Sequence, residues 1–549
     1  KQLDLPPRLP LVGLPNQRGS STGEDSRLVN AYVEFGQDDV IRVVKRPGLS
    51  LKYNLDGDGA GIFSNIAVFY TVSGGTRTAT MYLDGVSVGT FDAHSTAYAA
   101  GRRFSFALAP TGLDDQIFFL QNEYSCWTYV SSVVSSIPLA DETVGPLTCS
   151  ITNGSTAVTT ASTAGLMKYA SISGVGITAG TYIESVDSAV ALTMSAVATA
   201  TNAAAALTFT TAGPPKKTSF IAPDDLLFAA GVASLNRSVY LFNRQSKVSG
   251  ADADAPTDWQ PLNYLLAYVE QDEAIAFGRQ LTYLVAFKSR SVEFFRDAGL
   301  SPGSPLERLE NLQLTVGCYK GKTTQDIDGN LFWVSSTSSG LRSAYKLERL
   351  KAQEIATPAI RRVLSMLEPT YSICLSHDGH TFYIVTDSSA GVSLVYDAAS
   401  QLWSYWEALG TTYFPFISAT NSNGETLLQH ESNGNIYIFD PDAVTDYGTP
   451  IVMDVYPPQF DGNTRLTKYL PRMHINADQE QGSTLKVRCN DADQSSGQWT
   501  NWREFNLAEE RPTLTDCGSF TKRFYHFRHE SPTKCRLSSV ELELVMGVL

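Results

Sequence analysis

At 549 residues the chain exceeds what one small core organises, so several domains, or one large repetitive domain, are expected. Hydrophobic content of 43% with 18% charge is ordinary for a folded, soluble protein, and 25 Tyr and 26 Phe favour strands. The net charge of −14 argues against a protein that grips nucleic acid through a broad basic face. It permits a like-charged wall past which nucleic acid slides without sticking.

The first 58 residues read as an irregular lead-in and docking segment. KQLDLPPRLPLVGLP is Pro-rich, has no apolar h-region and is not a secretory signal. GSSTGEDS follows, then strand-like LVNAYVEF and IRVV, ending at the Pro47-Gly48 turn.

From residue 59 the chain becomes a series of hairpins. Segments 62–72 and 79–91 pair around Asp84-Gly85, followed by 103–108, 116–121 and 124–134. The pattern resumes with 226–230 and 239–243. The clearest unit is 281–287 with 291–295, two apolar runs joined by Lys288-Ser289-Arg290. Then come 330–335 with 343–348, 381–386 with 392–397 and 402–407, and 425–429 with 435–440. Several copies open on a turn before an alternating run: DGNLFWVSS, DGHTFYIVT and NGNIYIFD. A recurrence of roughly 40 to 60 residues points to a β-propeller, with a large sandwich or two stacked barrels as the alternative.

Two stretches break the series. Residues 145–213 are rich in Thr, Ala, Ser and Val, with Lys168, Glu184 and Asp187 as the charged residues. Their alternating runs between Gly and Asn turns predict a small inserted β-sandwich, with Pro214-Pro215 marking the return. Residues 348–367, ERLKAQEIATPAIRRVLSML, have helical spacing, and Pro358 splits them into two short helices. From 450 the strands 454–459, 468–476, 484–490, 499–506, 524–529 and 538–546 predict a carboxyl-terminal sandwich. The expected class is all-β: a propeller at 59–144 and 214–449, an inserted sandwich at 145–213 and a second sandwich at 450–549. No apolar run reaches the roughly 20 residues of a membrane helix.

Candidate chemistry fails residue by residue. Gly299-Leu300-Ser301-Pro302-Gly303 spells a nucleophile elbow, but Pro302 has no N–H to offer an oxyanion and no helix follows. Ser376-His377-Asp378-Gly379-His380-Thr381-Phe382 nearly matches the structural Asp-box turn of sialidase-type propellers, one residue short. Residues 490–499 are a looser relative. Asp252, Asp254 and Asp258 begin like a calcium loop, then lack its Gly and its bidentate Glu. GCYKGKTT from Gly317 lacks P-loop spacing. Trp499 and Trp502 are either core or a sugar-stacking platform. Seven cysteines (126, 149, 318, 374, 489, 517 and 535), without a CxxC pair, suggest packed thiols; Cys517 and Cys535 would pair only in an oxidising place. No catalytic, cofactor or metal site is assigned, and the chain is read as a non-enzyme.

Arg27-Leu-Val-Asn30-Ala-Tyr-Val-Glu34, followed by Lys45-Arg46-Pro47-Gly48-Leu49, resembles the opening of the tail nozzle, or packaged-DNA stabilisation (tail hub), proteins of short-tailed bacteriophages. Residues 287–295, FKSRSVEFF, with Asp297 and Gly299, are similar to that family's central signature. Gly317-Cys318, 329–334 and the finish at 523–528 and 540–543 continue the order. The resemblance covers 20–140 and 220–549 and leaves out the insertion. It implies a propeller with extra β-domains, assembled as a homo-hexameric ring below the portal and head-to-tail adaptor rings. Its partners would be the adaptor, tail fibres or tailspikes, and a tail needle or plug. Double-stranded DNA would pass through the lumen without sequence-specific binding.

The expected function is therefore a structural virion protein, assembled in the host cytoplasm, that closes the channel, retains packaged DNA and conducts it during ejection. The nearly uncharged insertion would sit outside the ring, and its deletion would leave hexamers intact. The competing reading is a glycan-binding or sialidase-like β-propeller tail protein, drawn from the partial Asp boxes and the Trp pair. A sialidase needs an arginine cluster and a Tyr nucleophile beside a Glu, and no motif marks such a set.

Overall fold

The computed structural model of the chain describes residues 7–547 except 13–25, 37–40, 74–75, 96–103, 112–114, 122–125, 131–132, 138–142, 213–228, 244–245, 271, 301–302, 328, 337–340 and 493–497. Most of GSSTGEDS, Pro214-Pro215, the Ser301-Pro302 elbow and half of the 490–499 turn lie outside the described residues. The chain divides into two compact units, Gly59–Glu354 on one hand and Lys1–Asp58 with Ile355–Leu549 on the other.

The unit Gly59–Glu354 holds five four-stranded antiparallel meanders. They begin at Asp58–Phe63, Ser105–Thr111, Ala229–Leu235, Ala274–Gln280 and Gln325–Ile327. Turn chemistry sets their registers. Asp84 and Gly85 both take positive φ, which fits a two-residue hairpin connection between Thr76–Leu83 and Val86–Ser95. In the fourth meander, Tyr283–Lys288 pairs with Val292–Asp297, and Leu284, Val285, Phe287, Phe294 and Phe295 are all fully buried. Apolar residues on both faces give this hairpin neighbours on both sides. One face joins Phe242 and Phe277, the other Trp333 and Leu347.

The inserted region forms one six-stranded sheet, from Thr143–Ile151 to Asn202–Thr210, in place of the expected pair of stacked sheets. Its two edges meet: Ile172 N–H donates to the Thr181 carbonyl and Ile183 N–H to the Ala170 carbonyl. Curling lets a short, Ala- and Thr-rich chain enclose Ile151, Leu192, Leu207 and Phe209 without exposing a sheet edge. The same core includes Val239, Leu241 and Trp259 of the third meander, so the insertion is packed onto that meander. Tyr169 fastens it, its hydroxyl donating to Asp252 at 2.7 Å and accepting from Gln260 at 3.0 Å.

The other unit holds two further meanders, beginning at Tyr371–His377 and Phe416–Ser422. The last contributes three strands, and the fourth is Gly48–Asn54, which pairs with Asn435–Asp440. The lead-in reading of the first 58 residues is corrected in the same way. Arg27–Val29 lies between Leu402–Tyr405 and Met453–Tyr456, and Ile41–Lys45 pairs with Arg536–Met546. These strands complete a two-sheet sandwich whose core mixes Leu28, Val33 and Val43 with Met473, Val487, Phe527 and Leu537. Residues 348–367 also differ from expectation. Lys351–Glu354 is the outer strand of the fifth meander, and a single helix, Pro358–Met366, begins at the proline. Pro358 occupies the first turn, where its missing N–H costs nothing, and Thr357 caps the Ile360 N–H.

Candidate functional site

The motif residues converge on two buried ionic nodes, one in each unit. In the Gly59–Glu354 unit, Lys288 ends the strand Tyr283–Lys288 with 1% of its side chain exposed. Its ammonium lies 2.8 Å from Asp272 and 3.5 Å from Glu293, and donates to the carbonyls of Ala267 and Glu270. Asp272 in turn accepts from the backbone N–H groups of Arg290 and Ser291 and from the Ser291 hydroxyl. The turn at 288–291 is thus tied to the linker entering its own meander. A buried charge is tolerable only when paired and hydrogen-bonded in this way. Burial raises the Glu293 carboxyl above its ordinary range, and Lys288 opposes that rise.

The downstream motifs reach the same node. A Cβ on Gly317 would fall 2.3 Å from the Arg290 nitrogen and the Ser289 carbonyl, so only glycine fits against that turn. Cys318 N–H donates to the Lys288 carbonyl, and Trp333 Nε1 donates to the Gly317 carbonyl. The Trp333 ring packs 5.1 Å from Phe287. FKSRSVEFF, Gly317-Cys318 and Trp333 are three parts of one packing joint.

The second node organises the opening motif. Arg46 is fully buried and forms a two-pronged ion pair with Asp446, at 2.9 and 2.5 Å. Its remaining hydrogens reach Asn30 Oδ1 at 3.0 Å and the carbonyls of Pro47 and Glu407. Asn30, held at positive φ, also accepts from Glu407 N–H and donates to the Val452 carbonyl. Gly48 beside it leaves no room for a side chain, since a Cβ would meet the Thr445 carbonyl at 2.3 Å. The spacing of Asn30, Arg46 and Gly48 therefore serves closure of the last meander.

Pairs that resemble catalytic machinery do not have its access or polarity. Ser483 Oγ and His529 Nε2 are 2.8 Å apart, but both are buried and Lys45 stands at His529 Nδ1 where a carboxylate would be needed. Burial, with Lys45 adding to it, pushes His529 down to about 3, so it is a poor proton acceptor. In the Asp-box-like turn, Asp378 and Gly379 take the positive φ of a hairpin and Asp378 faces solvent. Turn amides are bound instead by Asp397, which accepts from Ala399 and Ser400 N–H and contacts His380 at 2.8 Å.

Asp252 and Asp254 take separate partners, Tyr169 and Arg237. Gly321–Thr323 is a short 3-10 turn with Thr323 buried beneath it, which gives GCYKGKTT a structural role. Cys517 and Cys535 are free thiols; Cys535 lies in the sandwich core, where burial pushes it up to about 12. Trp499 and Trp502 flank Arg488, whose guanidinium lies 4.9 and 4.4 Å from their ring centres, with Arg528 5.5 Å from Trp502. Cation contacts thus engage the rings a sugar would stack on. Sequence periodicity missed this ladder because Arg488 and Arg528 lie on separate strands, Thr484–Asn490 and Phe524–His529, that become neighbours only when paired in the sheet.

The comparisons agree with a structural role. Residues 236–444 match the family model described as Bacteriophage P22 Gp10, beta-propeller. No curated protein matches the chain. Solved structures with some likeness include YCF48 bound to D1 peptide, at 11% identity over 72% of this chain and 94% of that one, with a TM-score of 0.33. BamB from Moraxella catarrhalis gives 10% identity over 72% and 99%, with a TM-score of 0.32, and the Pan2 WD40 domain of Neurospora crassa 9% over 72% and 94%, also at 0.32. Scores at that level add no argument. The matched segment spans the signature hairpin, Gly317, Trp333 and the strands from Phe416 to Asp440. Over residues 236–444 the chain is similar to the phage-stabilisation family of P22 Gp10, and that match supports a β-propeller structural protein of the phage tail that stabilises packaged DNA.

Proposed function

We propose that this virion protein forms the nozzle ring closing the portal–adaptor channel, retaining packaged DNA and conducting it during ejection. The family match over the meanders is the observation that carries the proposal. The net charge of −14 supports it, because an acidic wall repels the phosphate backbone and lets a genome pass without adhesion. The buried nodes at Lys288 and Arg46 fit a part whose work is mechanical: the first ties a turn to the linker entering its own meander and the second ties the opening motif to Asp446.

The division proposed is a propeller at 59–144 and 214–449, an insertion at 145–213 and a sandwich at 450–549 augmented by strands from 1–58. The assembly is a homo-hexamer contacting the adaptor ring, tail fibres or tailspikes, and a needle or plug. Cryo-electron microscopy of purified virions tests this directly. Density for the chain as a six-fold ring at the distal end of the DNA channel is the expected result. Density for it only on peripheral fibres would overturn the reading.

A further inference from the structure

We propose that Lys288 and Asp272 condense into an intramolecular isopeptide bond, with Glu293 carrying the proton that the reaction must move. The three side chains are 1%, 6% and 1% exposed, in the order amine, acceptor and carrier. Lys288 Nζ lies 2.8 Å from Asp272 Oδ1 and 3.5 Å from Glu293 Oε1, and the carbonyls of Ala267 and Glu270 hold it in place. A buried ion pair needs one acid for one amine. Here a second buried carboxyl stands against the same nitrogen.

The acceptor is polarised at the oxygen turned away from the amine. Asp272 Oδ2 accepts the Arg290 N–H at 2.7 Å and the Ser291 N–H at 3.1 Å, with the Ser291 hydroxyl at 3.3 Å. Two backbone N–H groups fixed on one oxygen stabilise the negative charge that collects there when a nucleophile adds to the carbon. Glu293 is positioned as well. Its Oε1 accepts the Val269 N–H at 3.2 Å, and Arg308 Nη1 stands 3.9 Å from Oε2. Burial raises this carboxyl, which suits a group that holds a proton before passing it on.

The reaction balances without an oxidant or a cofactor. Of the three ammonium protons, one crosses the 2.8 Å contact to Asp272 Oδ1 and leaves a free amine beside a neutral acid. Nζ then attacks Cγ, forming the C–N bond, and the charge on Oδ2 meets its two N–H donors. The second proton passes from Nζ through Glu293 to Oδ1; the Cγ–Oδ1 bond breaks and water leaves. The third proton stays on the amide nitrogen, and Glu293 returns to its starting state. Condensation removes an ammonium and a carboxylate from a site with little water to solvate them, which favours the amide. The product ties the linker entering the fourth meander covalently to the 288–291 turn.

Mass spectrometry of the intact, purified chain tests the proposal. The expected mass is that of the sequence less one water. Trypsin should leave segment 280–290 uncut at Lys288 and joined through it to segment 248–279, which contains Asp272. Glu293→Gln should slow the linkage by at least about a hundredfold, so that the freshly purified variant keeps its full mass while its circular dichroism matches wild type. Wild-type chain at full mass overturns the proposal whatever the variant does. So does a water lost within a single tryptic peptide, the mark of a succinimide elsewhere in the chain. Linkage formed equally fast in folded Glu293→Gln overturns the part given to Glu293.

Discussion

Replacing Arg46 with methionine tests whether the opening motif is a closure device. The guanidinium donates to Asn30, Pro47, Glu407 and both oxygens of Asp446, and the side chains of Arg46 and Asp446 are 0% and 3% exposed. Arg46→Met leaves Asp446 as an uncompensated buried carboxylate, which costs about 3–5 kcal/mol. The double variant Arg46→Met with Asp446→Leu removes the stranded charge and keeps the volume apolar. It should recover about half of the loss, the remainder reflecting the Pro47 and Glu407 carbonyls left without the guanidinium and the Asn30 amide oxygen left with the Glu407 N–H alone. Urea denaturation of the purified chain, followed by tryptophan fluorescence and far-ultraviolet circular dichroism, measures both variants. A single variant within about 1 kcal/mol of wild type, or a double variant no better than the single, would refute the account.

Three further outcomes are expected. Gly317→Ala forces a methyl group into backbone atoms 2.3 Å away and should destabilise the chain by about 3 kcal/mol or more, read as a lowered denaturation midpoint; less than about 1 kcal/mol would show that the hairpin turn can move aside. His430, pushed down to about 4 by burial, accepts N–H bonds from Ser432 and Asn433 at Nδ1. Its folded pKa lies below the unfolded one, so the unfolded chain takes up its proton first and stability falls as pH drops from about 6.5 to about 4. His430→Asn should flatten that decline by about 2–3 kcal/mol in denaturation curves across the range. Finally, deleting 145–213 uncovers Val239, Leu241 and Trp259, so the shortened chain should lose solubility and bind a hydrophobic dye. Recovery on adding Leu241→Thr and Trp259→Ser would trace the defect to that uncovered face, leaving the question of ring assembly to the soluble variant.

The sequence by itself determined whatever is local. Alternation of apolar residues with period two, and turn pairs such as Asp84-Gly85 and Asp378-Gly379, encode hairpins because side-chain direction and φ preference depend on immediate neighbours. The signature at 287–295, and its link to Gly317 and Trp333, was legible as ordered motifs, though not as one joint. Pairings between distant segments depended on the tertiary structure. Gly48–Asn54 completes a meander with Asn435–Asp440, strands 27–45 enter the carboxyl-terminal sandwich, and Arg46 finds Asp446 across 400 residues. An edge strand has free hydrogen-bonding groups whatever its neighbours in sequence, so its partner is chosen by shape, buried area and charge, which exist only once the chain has folded.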